Sequence, residues 1–183
     1  MKLAIVLILT LFVSHLPLFG QTTDNAEISR MYEADQSARK VANIDWNQLN
    51  KDDALRRKRV DELLDSGKVA TGKDYYHSAM IFQHGMDTVA SAKAIKLMKK
   101  AIEFDPATNK WLLAAAIDRH LMRKGEPQIY GTQYVRMGSN AKFERYRIDS
   151  TKVTDAERKA YNVETLAEQR IKERQMNEPR AGN

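Results

Sequence analysis

Apolar residues recur three or four positions apart through most of the chain, and Gly and Pro break that rhythm into segments. From Asp24 to Ala42 the stripe is Ile28, Met31, Tyr32, Ala38 and Ala42. Lys51 to Ser66 predicts a highly charged helix ended by Gly67, and Asp74 to His84 a third helix closed by Gly85. Asp87 is placed to cap a fourth, running to Phe104 through Val89, Ala94, Leu97, Met98, Ala101 and Ile102. Asp105-Pro106 predicts the cap and first turn of a fifth helix, Ala107 to Lys124, stopped by Gly125 and Pro127.

The pattern changes after Pro127. Gln128–Met137 and Ala141–Ile148 are rich in Tyr, Thr, Val and Phe around G-S-N at 138–140, which predicts a β-hairpin. Thr154 with Glu157 is a capping box opening a short helix. A last helix from Val163 to about Gln175 is expected to bury Val163, Leu166, Ala167 and Ile171. The fold class is therefore mainly α, a five-helix array with a late hairpin and one or two C-terminal helices. A-I-E-F-D-P at 101–106 followed by W-L-L-A-A-A resembles the junction of one tetratricopeptide unit. Stacked repeats need about three units, so a helical hairpin inside a non-repeat domain is expected.

Residues 1–20 read as a secretory signal peptide: Lys2, the eleven-residue apolar run Leu3–Val13, then Pro17 and Gly20 before a polar start. The run is too short for a membrane span, which takes roughly 20 residues. A single domain over 21–175 and a polar tail over 176–183 follow, placed in the periplasm or outside the cell. Export of a chain without cysteine leaves stability to packing, and excludes thiolate metal sites and redox pairs.

Charge adds little. Losing Lys2 with the leader lowers the net charge from +6 to +5. Arg56-Arg57-Lys58-Arg59 looks like a nucleic-acid patch, but Lys51–Ser66 holds five basic and five acidic residues. Asp52 with Arg56 and Asp53 with Arg57 have the spacing of helix-surface pairs, so a solvated face is expected, with neither nucleic acid nor membrane surface as partner.

Polar groups on apolar stripes are more informative. Asp35 shares a face with Ile28, Met31, Tyr32, Ala38 and Ala42; Asp118 shares one with Trp111, Ala114, Ala115, Leu121 and Met122; His84 follows Ile81, Met80 and His77. A buried unpaired carboxylate costs several kcal/mol, so each Asp needs a partner, with Arg39, Arg119, His84 and His120 as candidates. Two readings stay open: a cleft for proton-transfer chemistry, or a satisfied network that fixes helix packing. No metal or other cofactor is expected. His77 and His84 stand seven residues apart, about 10 Å along a helix, whereas a zinc pair is usually spaced i,i+4. Segment 125–133, G-E-P-Q-I-Y-G-T-Q, gathers amides, a phenol and a hydroxyl around one Gly just after the helix that carries Asp118.

D-Q-S-A-R at 35–39, F-Q-H-G at 82–85, D-R-H-L at 118–121 and P-Q-I-Y-G-T-Q at 127–133 together resemble a bacterial exported family classed as a domain of unknown function. T-D-A-E-R at 154–158 also resembles that family's region after the hairpin, so the likeness spans Tyr32 to Ile171. It implies shared polar positions at Asp35, Gln36, Arg39, Gln83, His84, Asp118, Arg119, Gln128, Tyr130, Gly131, Thr132 and Gln133, without an activity. The expectation is a binding or interaction module for a small polar ligand or peptide, with Arg39, Gln83, Arg119, Gln128, Tyr130, Thr132 and Gln133 as binding residues. The alternative is a hydrolase using Asp35 or Asp118 as general base and His84 as acid/base. Asp118, His84 and Arg39 are expected to form one coupled unit with Gln128 or Gln133.

Overall fold

The computed structural model describes residues 23–138 and 141–178. The expected leader, Ser139 and Asn140, and the end of the tail lie outside them. Five helices form the main array: α1 (Ala26–Ala38), α2 (Trp46–Asp65), α3 (Gly72–Gln83), α4 (Thr88–Phe104) and α5 (Trp111–Arg123). A two-stranded antiparallel hairpin, β1 (Tyr134–Val135) and β2 (Glu144–Arg145), then leads to α6 (Asp155–Ala160) and α7 (Leu166–Met176). The chain is mainly α with a small late hairpin, as the periodicity predicts. Among the described residues no helix is long and apolar enough to cross a membrane.

Side-chain caps set most helix starts. Asn25 accepts from the amides of Glu27 and Ile28, Asp45 from Asn47 and Gln48, and Asp87 from Ala90. Thr71 and Asp74 form a capping box at α3, and the buried Asp74 also accepts from Asn25 N at 2.7 Å, tying the entry of α1 to that of α3. The expected start of the fifth helix is corrected. Asp105 closes α4 by donating to Ala101 O, and its carboxylate accepts the Ala107 amide, so 105–108 turns and α5 begins only at Trp111. Trp111 is consequently exposed rather than on the buried stripe.

The main core joins α2 to α5 through Val60, Ile81, Phe82, Leu97, Met98, Leu112 and Leu113. Burying a large apolar side chain contributes about 1.5–3 kcal/mol, against about 0–1 for an exposed ion pair, so helix packing and not surface charge holds the array. A second cluster, Ala114, Tyr130, Val153 and Val163, seats the hairpin region on α5. In α7 the expected stripe is also corrected: Ile171 is exposed and the buried residue is Gln169.

The rings of Tyr32 and His77 stack with centroids 4.0 Å apart and planes 5° apart, joining α1 to α3. Burial, then the nearby Lys73 charge, holds the His77 imidazole below its ordinary range, and its Nδ1 has no partner among the described residues. A depressed pKa means the neutral ring is the one the fold accepts. Stability present above the unfolded value of about 6.5 is therefore lost as pH falls through the folded pKa. Urea midpoints between pH 7.5 and 5 should decline for the wild type, and His77→Phe, which keeps the stack, should flatten that decline.

Candidate functional site

The loop after α5 is organised by one carboxylate. Asp118 Oδ1 accepts the backbone amides of Ile129 and Tyr130 at 2.8 and 2.9 Å. Its Oδ2 accepts the amides of Gly131 and Thr132, both at 2.9 Å, and the Thr132 hydroxyl at 2.8 Å. Four successive amides on one carboxylate require a curled backbone, which is why the expected strand Gln128–Met137 is absent before Tyr134. Gln128 pairs with the second segment as an isolated bridge with Ile148, and its side chain reaches Tyr146 O.

The loop carbonyls face the other way. The buried Arg158 donates to Tyr130 O at 3.1 Å and Ile129 O at 2.9 Å, and the buried Gln169 donates to Tyr130 O at 2.8 Å. The Gln128 amide closes the ring, donating to Gln133 O and Tyr146 O and accepting Gln133 N. Gly131 sits at φ +92°, and a Cβ there would overlap Gln169 Oε1, so both its conformation and its neighbour exclude a side chain. Tyr130 is buried against Tyr161, and burial followed by that ring raises its phenol well above the ordinary range.

A second polar centre lies where α1, α2 and α3 meet. The wholly buried Asp35 carboxylate lies 3.0 Å from His84 Nδ1, and accepts from Arg39 Nη1 at 2.9 Å and Gln36 Nε2 at 2.7 Å. Burial alone would raise the Asp35 carboxyl. The His84 bond and charge, then Arg39 and Gln36, outweigh it and hold the group below the ordinary carboxylate range. Arg39 continues to Asp53 on α2, which also pairs with Arg56 at 2.8 Å. The solvated face expected of that helix is thus corrected: Asp53 is only 3% exposed, and it pairs with Arg39 and Arg56 instead of Arg57. Leu49, Asp53 and Val60 share a stripe, the same signal that marks Asp35, and it is masked by the balance of charges around it.

The two centres meet at the end of α3. Arg119 donates to Gln83 O at 2.8 Å and to Gln133 Oε1 at 3.1 Å, and Arg123 donates to Gly85 O. Burial, then the charges of Arg123 and Arg39, lowers the Arg119 guanidinium to about 10. The expected single unit is therefore two centres joined by one bridge. Asp118, Gln128, Tyr130, Thr132 and Gln133 belong to the closed loop. Asp35, Arg39, Gln83, His84 and Arg119 surround the α3 end, with Asp53, Arg57 and Arg123 as members the spacing argument left out.

Chemically the centres differ. Asp118 is buried beneath five donors, a setting for a structural anchor and not for a general base. His84 and Arg39 keep 18% and 20% of their side chains exposed while a fully buried carboxylate holds them from behind. Among the described residues no three His, Asp or Glu side chains converge as a metal site needs. Comparison with family models, curated proteins and solved structures finds no match.

Asp118→Asn tests the division. The substitution turns one acceptor oxygen into an NH2 group facing two or three donors. The expected loss is about 3–5 kcal/mol, more than for one charge-assisted bond and a large share of a domain's stability. Urea denaturation measures it. A loss under about 1 kcal/mol would show that the loop does not depend on the carboxylate.

Proposed function

We propose that this protein is an exported binding module whose site is the Asp35–Arg39–His84 corner at the end of α3, and that it takes up a small polar ligand or a peptide. The observation that carries the reading is the buried Asp35 carboxylate behind two part-exposed side chains, Arg39 and His84. Groups fixed from behind by a buried partner meet a ligand with little loss of rotamer freedom. Pure packing needs no such outward reach. Export rests on the run Leu3–Val13, and the polar positions coincide with those implied by the resemblance to the bacterial exported family of unknown function.

A hydrolase is the second reading, favoured by one feature. Asp35 engages His84 through Nδ1, and Nε2 has no partner among the described residues. A carboxylate on one imidazole nitrogen orients the other for proton transfer.

A thermal-shift screen of the purified protein against periplasmic metabolites and cell-wall fragments tests both readings. At least one compound should raise Tm for the wild type, and His84→Ala or Arg39→Gln should remove the rise. A hit left unchanged by both variants would overturn the assignment of this corner. Conversion of the hit to product, lost in Asp35→Asn, would move the conclusion to the hydrolase.

A further inference from the structure

Three guanidinium groups gather around Gln83, His84 and Gly85. Arg119 and Arg123 donate to the carbonyls of Gln83 and Gly85, while the Arg57 stem packs on Gly85, its Cδ 3.4 Å from where a Cβ would stand. Among the described residues none of the three has a carboxylate within ion-pair distance, unlike Arg39 and Arg56 beside them. Asp87 acts on Arg123 from farther away, its own carboxylate occupied by the Ala90 amide. The carbonyl end of α3 supplies about half a negative charge, so with Asp87 counted in full roughly one and a half positive charges stay unopposed.

Contacts with the backbone at and past the end of α3 explain these bonds and no more, Arg123 also donating to Asp87 O. That leaves Arg57 Nη1 buried without a partner, and the Gln83 side chain, 3% exposed, has its amide oxygen equally without one. Buried donors and cations left in this state cost stability unless something completes them. A half-turn of the Gln83 amide presents NH2 in place of its oxygen. An oxyanion accepts from every one of these groups at once and neutralises the surplus, and guanidinium geometry suits carboxylate and phosphate in particular.

We propose that the Gln83–Gly85 corner is an oxyanion seat in which Arg57, Arg119, Arg123 and the Gln83 amide hold a carboxylate or phosphate group of the ligand. This deepens, and rests on, the reading of the corner as a binding site. The anion sits next to His84, so the rest of the ligand lies over the Asp35–Arg39 pair.

Inorganic phosphate and acetate are titrated separately into the purified protein at constant ionic strength in chloride, with Tm and NMR shifts of arginine Nε–Hε groups as readouts. At least one anion should saturate. Arg57→Gln should weaken it about 10-fold or more, the scale of one charge-assisted bond. Arg119→Lys keeps the charge but loses the planar fork, and should weaken it as well. Saturation by phosphate alone assigns a phosphoryl group, and by acetate alone a carboxylate. Absence of saturation by either anion, or an equal response in Arg57→Gln, overturns the seat. A neutral compound that binds through His84 and is not displaced by either anion overturns it too, while leaving the binding module standing. Saturation that depends on Arg57 upholds the seat even if the screen yields no larger ligand.

Discussion

Four consecutive backbone amides pointing at one carboxylate is the constraint from which the C-terminal half follows. Once Ile129 to Thr132 turn their N–H groups inward to Asp118, their carbonyls must face outward, away from any strand partner. Buried carbonyls need donors as strictly as buried amides need acceptors. Arg158 on α6 and Gln169 on α7 supply them, which is why two short, weakly apolar helices dock there at all. In α7 only Gln169 is buried, so that helix is held by hydrogen bonds to the loop rather than by an apolar face. The hairpin is short for the same reason: Gln133 is the first residue past the curl, and pairing begins at Tyr134.

The helices were legible because their evidence is local. Asp87 and the Thr154–Glu157 box act within a turn of the helix they start, and apolar spacing marks buried faces. The equally local Asp45 cap was missed, and it starts α2 at Trp46 rather than at the expected Lys51. The misplaced elements have different causes. Val and Tyr content argued for a strand at 128–137, but Asp118, ten residues earlier in the chain, took the amides. Asp105-Pro106 carries the chemistry of a helix start, yet Asp105 was already closing α4. At the site, Asp35 and His84 were visible as polar residues on apolar stripes. Asp53 carried the same mark, but counting charge over Lys51–Ser66 averaged it away, because a sum of charges ignores which face each one occupies. Arg57, Arg123 and Arg158 meet the backbone of other elements, and no spacing within their own helices shows that.

Asp35 and Asp118 look alike in the sequence, each an aspartate on a buried helical face followed by an arginine within four residues. What separates them is the nature of their donors. Asp118 is met by backbone amides, which cannot leave without unfolding the loop, and its burial is therefore complete and fixed. Asp35 is met by Gln36, Arg39 and His84, side chains with their own reach toward water, and its charge is passed outward through them. A carboxylate closed by backbone orders a fold, whereas one closed by part-exposed side chains orders those side chains. The surplus of guanidinium charge gathers at the second kind, next to His84. The Asp118 loop, bound to Arg119 through Gln133, forms the rigid wall on which that surplus is mounted. The two aspartates thus sit in centres of different kinds, and Arg119 is the side chain that joins them, donating to Gln133 of the closed loop and to Gln83 O at the end of α3.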